Sequence, residues 1–143
     1  RRNLATRLGA ATCHPDDLET PWHPGLTVDR PADVVIETSG VRVAAEACLG
    51  QLADRGRLVL VGTGLDFPRL DTGRIILNEL VVTGAYNYDD DGFEAALALI
   101  ASGSIPLDLL LEPETIGLDG LLDTMVRLRA GEGAGKVLVR PDI

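Results

Sequence analysis

Val34-Val35-Ile36-Glu37-Thr38-Ser39-Gly40 decides how this chain is read. Three consecutive branched aliphatic residues form an apolar run with no polar alternation, and the run stops in a carboxylate, two hydroxyls and a glycine. A strand buried on both faces, as in a parallel sheet, reads this way. The pattern returns twice. Leu58-Val59-Leu60-Val61 ends in Gly62-Thr63-Gly64, and Leu80-Val81-Val82-Thr83 ends in Gly84. Between the first two runs, Val43–Leu52 sets Ala44, Ala45, Cys48, Leu49 and Leu52 on one helical stripe. Gly50 within it costs about 1 kcal/mol relative to alanine. Strand, helix and strand joined by short turns make a βαβ unit, expected to be parallel and right-handed.

Working outward, residues 1–9 read as the last turns of a helix, with Leu4, Ala5 and Leu8 on one face and Gly9 just past its end. A short strand is expected at Ala10–Cys13. The stretch 14–32 holds Pro15, Pro21, Pro24 and Pro31 and reads as a loop, with one turn at Asp16–Thr20. A short helix over 70–79 should carry Ile75, Ile76 and Leu80 toward the sheet. Asp91 is placed to cap a helix, with Glu94 three residues on. Phe93, Ala96, Leu97 and Ile100 then follow helical spacing, and Gly103 closes the helix. A last helix over Asp119–Ala130 should turn Leu121, Leu122, Met125 and Leu128 inward. Lys136–Arg140 reads as a final strand, after a glycine-rich turn at 131–136.

Composition narrows the function classes. The 143 residues suffice for one domain with one core, and with 45% hydrophobic but only 3% aromatic residues that core must be aliphatic. The formal net charge of −9 repels polyanions, which argues against nucleic-acid binding. No apolar run approaches the roughly 20 residues that span a bilayer. Arg1 and Arg2 are followed at once by polar residues, unlike a secretory signal. Cys13 and Cys48 sit among apolar residues and are expected to be buried free thiols of a reducing, cytoplasmic compartment. The chain opens on Arg1 and its one Met is Met125, so Arg1 is not read as a translation start.

In a doubly wound sheet, ligands bind beyond the carboxyl ends of the parallel strands. Thr38-Ser39-Gly40, Gly62-Thr63-Gly64 and Gly84-Ala85 are small enough to let a flat, extended ligand reach the main chain. One such ending is ordinary turn chemistry, whereas three in succession point to a shared crevice. With Arg55-Gly56-Arg57 ahead of the second run, Asn78-Glu79 ahead of the third, and the closing Leu128-Arg129-Ala130-Gly131-Glu132 followed by Gly135-Lys136-Val137-Leu138-Val139, the ordered set resembles the medium-chain dehydrogenase/reductase family. The resemblance covers nearly the whole chain. The Glu-Thr-Ser-Gly ending is more similar to the zinc-type alcohol and polyol dehydrogenases than to the zinc-free quinone reductases.

The resemblance implies an α/β fold: a Rossmann-like parallel sheet flanked by helices, incomplete, with the first two strands and the glycine-rich phosphate loop missing. It implies that Ser39 and Gly40 lie near the adenosine half of NAD or NADP, and that Val61, Gly62 and Thr63 line the nicotinamide. Main-chain groups of Ala85, Tyr86 and Asn87 would hold the carboxamide, and Arg1 falls where the family often has a basic residue near the adenosine ribose. Read as residues alone, Val61 is equally a core residue, Thr63 a turn cap, Tyr86 and Tyr88 packing residues, and Arg1 a solvated end.

The family's catalytic zinc is held on a separate N-terminal domain, and His14 and His23 have no ligand spacing around them. The cluster Gly131–Lys136 follows a helix and enters a strand, the reverse of a phosphate loop. In the family's mechanism zinc polarises the oxygen of an alcohol or polyol, or of the matching carbonyl, while hydride passes to or from the nicotinamide. The chain by itself is therefore expected to show no turnover. The alternative is a non-catalytic nucleotide-binding module that regulates a partner. A methyltransferase would need a glycine-rich first loop, and a decayed reading frame is the bland reading.

In the family's strand order 3-2-1-4-5-6, the missing strands 1 and 2 would leave the Asp33–Thr38 strand without its central neighbour. Something is expected to fill that edge: the Ala10–Cys13 strand, a second copy, or the rest of the parent protein. An edge left bare would speak against the order. The Leu80–Ala85 edge is where the resemblance implies a homodimer.

Overall fold

The computed structural model describes residues 1–133 and 135–142; Ala134, inside the turn expected at 131–136, lies outside them. The chain divides into two compact units, Cys13–Asn87 and the pairing of Arg1–Thr12 with the residues from Tyr88 onward.

The 13–87 unit is built on a three-stranded parallel sheet in the order β1-β2-β3, with β1 Ala32–Glu37, β2 Leu52–Leu60 and β3 Val81–Gly84. The three apolar runs are its adjacent strands, as expected. Val35, Leu58 and Val82 stand in one register row. Leu58 is fully buried there among Leu49, Leu52 and Leu80, with Val35, Leu60, Ile75 and Val82 packed around them. Successive strand residues point to opposite faces, so this row and the next inner row, Glu37, Leu60 and Gly84, share one face.

The opposite face departs from the expectation of burial on both sides. Val34 is 53% exposed and Ile36 60%. The apolar run reports that both faces seek cover; this unit supplies it to one. Among the described residues no strand pairs with the outer edge of β1, and Ala10–Cys13 has no strand conformation. The first of the three expected fillers, the Ala10–Cys13 strand, is thus corrected. The neighbour relations β1-β2-β3 match the expected strand order.

The βαβ helix is shorter than its stripe. Helix α2 spans Arg42–Cys48, a 3₁₀ turn follows at Leu49–Gln51, and Leu52 already belongs to β2, where it pairs with Ala32. Burial of Leu52 in the sheet overrides the helical spacing that placed it in the stripe. Between Leu52 and Arg57 the strand register shifts, and Arg55 takes a φ of +62° there. Cys48 packs partly buried against the core, and its thiol is pushed up by burial and, second, by the charge of Glu37. Cys13 is exposed, contrary to the buried thiol expected.

Helix α3, Thr72–Leu77, begins at Asp71, whose Oδ1 accepts from Arg74 N at 3.1 Å. It sends Ile75 to the core but leaves Ile76 exposed, a correction to the inward placement expected. Its second service is to the proline-rich loop. Arg74, 5% exposed, donates to the main-chain carbonyls of Leu26 at 2.7 Å, Pro21 at 3.1 Å and His23 at 3.2 Å. Asn78 Nδ2 donates to Pro24 O at 2.8 Å. The loop's own local structure is one 3₁₀ turn at Pro15–Asp17, a residue earlier than expected, capped by His14 Nδ1 and Asp17 Oδ2.

In the other unit lie α1 Arg2–Arg7, α4 Gly92–Ala101, α5 Leu107–Leu110 and α6 Leu121–Arg129. Gly9, Gly103 and Gly131 follow α1, α4 and α6 with positive φ. Asp91 precedes α4 but its side chain makes no capping bond. Phe93, Leu97 and Ile100 are exposed, and so are Leu121, Leu122, Met125 and Leu128, while Thr124 is buried. The inward stripe expected for α6 is therefore uncovered, and the apolar positions spaced along α4 are exposed as well. The final strand is reduced to two isolated parallel bridges, Leu111 with Lys136 and Ile116 with Val139.

Candidate functional site

The parallel register decides where the strand endings meet. Glu37 is level with Leu60, and Leu60 with Gly84. The next residues, Thr38, Val61 and Ala85, therefore leave the sheet side by side from the same end. Three small-residue tails converge at the carboxyl ends of adjacent parallel strands, the place where open α/β sheets bind ligands.

Glu37 ties two of the tails together. Its main-chain oxygen accepts from Val61 N at 2.8 Å and Gly62 N at 3.0 Å. Its carboxylate turns the other way: Oε1 accepts from Ser39 N at 2.7 Å, from the Ser39 hydroxyl and from Gly40 N, and Oε2 from Gly40 N at 3.1 Å. The side chain is buried because Glu37 ends the inner face of β1, and only 4% of the residue is exposed. The Ser39 hydroxyl, then the main-chain N–H groups of Ser39 and Gly40, hold the carboxyl below its ordinary range, against the opposing effect of burial. Ser39 Oγ in turn accepts from Val41 N at 3.1 Å.

Two glycines permit this approach. Gly40 has φ +67°, and a Cβ there would stand 2.5 Å from Thr63 O. A Cβ on Gly62 would collide with Gly40 N and come within 2.8 Å of Glu37 Oε2. The glycines that the sequence offers as room for a ligand thus first serve the contact between two loops. Beside them lies a cavity of about 220 Å³ lined by Gly40, Arg42, Ala45, Gly62, Asp66 and Phe67, among others. It is smaller than the roughly 300–1,000 Å³ of small-molecule sites, so it can accept a part of a dinucleotide. Arg42, at its wall, donates from Nε to Asp66 at 2.9 Å and from a terminal nitrogen to Glu46 at 3.2 Å.

The structure brings Ser39, Gly40, Val61, Gly62, Thr63, Ala85, Tyr86 and Asn87 to this one end of the sheet. Val61 is 44% exposed and Tyr86 88%, so neither is a core residue in this unit. Ala85 N donates to Leu60 O at 2.9 Å, and Asn87 has φ +58°. Tyr88 stacks in the other unit against Phe93, ring centroids 5.8 Å apart. Arg1 also belongs to that unit, where it lines a cavity with Leu110, Leu128 and Lys136. Glu37, Arg42 and Asp66 were not singled out from the sequence. The signal for Glu37 was available: a carboxylate two and three residues ahead of Ser-Gly can bond back to their N–H groups.

These residues fit an extended, flat ligand: three level tails, small side chains beside exposed Val61 and Tyr86, and a glycine-lined niche. Among the described residues no group of three or more His, Cys, Asp or Glu could hold a metal ion. No helix of the described residues is long and apolar enough to cross a membrane.

Residues 1–102 match the family model described as zinc-binding dehydrogenase. This chain belongs to the zinc-binding dehydrogenase family. It is 35% identical over 108 residues to the 2-dehydro-3-deoxy-L-galactonate 5-dehydrogenase of Pseudoalteromonas atlantica, an alignment covering 75% of this chain and 32% of that protein. Crystallographic 2R,3R-butanediol dehydrogenase from Bacillus subtilis superposes with a TM-score of 0.80 at 27% identity, over 98% of this chain and 40% of that one. A dehydrogenase-like protein of Sinorhizobium meliloti 1021, solved bound to NADP, gives 0.61 at 25% identity over 78% of this chain and 32% of its own. The chain thus spans less than half the length of these relatives. As a zinc-binding dehydrogenase segment it corresponds to the later, cofactor-binding part of the family's chain.

The clamp at Glu37 makes acid stability testable. A carboxyl whose folded pKa lies below its unfolded one adds stability above the unfolded value, lost as pH falls through the folded value. Glu37→Gln is therefore expected to lower the denaturant midpoint most above pH 4.5, the group's ordinary value, with the wild-type and variant curves converging on acidification. Urea titrations across a pH series check this, and a gap that persists undiminished into acid would contradict it.

Proposed function

We propose that this chain is the cofactor-facing part of an oxidoreductase that transfers hydride between an alcohol or polyol, or the matching carbonyl, and NAD or NADP. The observation that carries this reading is the level exit of Thr38, Val61 and Ala85 from three adjacent parallel strands. Family membership supports it, as do a relative named for dehydrogenation of a sugar acid and one solved with NADP. Ser39 and Gly40 would face the adenosine half. Val61, Gly62 and Thr63 would line the nicotinamide, and main-chain groups of Ala85, Tyr86 and Asn87 would hold its carboxamide. The nicotinamide, when bound, supplies hydride chemistry and zinc in the parent's other domain supplies polarisation of the substrate oxygen. The residues of this chain bind and orient. Leu80–Ala85 is the edge proposed for pairing two copies.

The test uses the full-length parent and residues 1–143 side by side, each with NAD, NADP and a panel of alcohols and polyols. Reduced cofactor should form with the parent and not with residues 1–143. Clear NADH formation by residues 1–143, or a parent that binds neither NAD nor NADP, would refute the assignment.

A further inference from the structure

Glu37 is buried, carries a charge, and is spent entirely on the two loops that frame the groove. Its main-chain oxygen grips the start of the β2 tail through Val61 N and Gly62 N. Its carboxylate grips the β1 tail through the amides of Ser39 and Gly40 and the Ser39 hydroxyl. Hydrogen bonds to an ionised acceptor are about twice as strong as neutral ones. The loops it joins have no slack, because a Cβ on Gly40 would meet Thr63 O and one on Gly62 would meet Gly40 N. A shift of either loop therefore moves both.

We propose that Glu37 is a positioning residue for the dinucleotide: its carboxylate fixes the 38–41 turn, and through the close Gly40–Gly62 contact that turn fixes where the 61–64 loop lies. The inference rests on the functional reading above and names a residue that acts through its neighbours rather than by touching the ligand. A glutamine keeps the size but presents an amide N–H to amide donors, so it can replace at most one side of the clamp. Cys48 of α2 feels the charge of Glu37, and Arg42 of α2 and Asp66 of the loop after β2 line the same cavity as Glu37. Arg42 is already paired with Asp66 and Glu46. All are common to wild type and variant, so their contribution cancels in the comparison.

The experiment measures NAD and NADP affinity of the full-length parent by calorimetry, together with its thermal midpoint, for wild type, Glu37→Gln, Ser39→Ala and Arg74→Met. Glu37→Gln is expected to weaken dinucleotide binding about tenfold, the value of one charge-assisted hydrogen bond. Ser39→Ala should weaken it in the same direction by less. Arg74→Met, remote from the tails, should lower the thermal midpoint and leave the affinity unchanged. If Glu37→Gln does not fold, Glu37→Asp carries the test, since it keeps the charge and withdraws it by one methylene from the Ser39 and Gly40 amides. The proposal is overturned if the Glu37 and Ser39 variants bind like wild type, or if their loss of affinity merely follows the loss of midpoint as in Arg74→Met. A wild-type parent that binds no dinucleotide would sink the functional reading instead, a result distinct from either.

Discussion

Replacing Gly62 with alanine is expected to destabilise the 13–87 unit by about 3 kcal/mol, the upper part of the range for forced overpacking, and to abolish dinucleotide binding by the parent. The added methyl would collide with Gly40 N and sit 2.8 Å from both Gly40 Cα and Glu37 Oε2. Two of these are main-chain atoms and the third is a carboxylate fixed by hydrogen bonds to Ser39 and Gly40, so no flexible side chain can swing aside. Relief requires parting the loops, which breaks the bonds from Val61 N and Gly62 N to Glu37 O. Gly84→Ala is the matched control, since a Cβ there would meet nothing nearer than Leu60 O at 4.0 Å. Urea denaturation should separate the two variants widely. Equal midpoints for Gly62→Ala and Gly84→Ala would show that the loops are not in contact.

Arg74→Met is expected to cost a similar amount, about 3 kcal/mol or more, because a buried polar group left without its partner costs about 1–3 kcal/mol and three carbonyls share this one guanidinium. Methionine retains the apolar stem, so the change isolates the hydrogen bonds to Pro21, His23 and Leu26. Lysine should recover only part of the loss: a guanidinium presents a rigid fork of donors, whereas an ammonium is a compact point charge. Hydrogen exchange should rise within 21–28 and remain slow at the amides of β2. Unchanged exchange in that loop would contradict the staple.

The two variants probe what was and was not legible beforehand. Val34–Ile36, Leu58–Val61 and Leu80–Thr83 announced a parallel sheet, because aliphatic runs without alternation have few other homes. The glycine and hydroxyl endings announced tails that leave the sheet side by side from one end. Arg74 announced nothing. Its role depends on carbonyls 48 to 53 residues away, and no local pattern encodes that separation. Glu37 was visible as the end of a strand, but its grip on Val61 and Gly62 exists only once β1 and β2 lie in register.

The mistaken expectations share one cause. The stripe on α6, Ile76 on α3 and the outer face of β1 are expected to be buried, yet Leu122, Met125, Ile76, Val34 and Ile36 are exposed. Periodicity identifies the side of an element that favours burial; it says nothing about which atoms cover it. The Val43–Leu52 stripe failed at its end for a related reason, since helix and strand competed for Leu52 and the pairing with Ala32 won.

By itself, the order of residues determined that the chain is an α/β segment with three parallel strands, an aliphatic core and a crevice near 38, 62 and 84, because those properties follow from local hydrophobic runs and turn chemistry. Tertiary structure alone decided that Glu37 joins the loops of the crevice, that Arg74 holds the proline-rich stretch, and which apolar faces stay uncovered. Each of those depends on distant atoms meeting at hydrogen-bonding or van der Waals range.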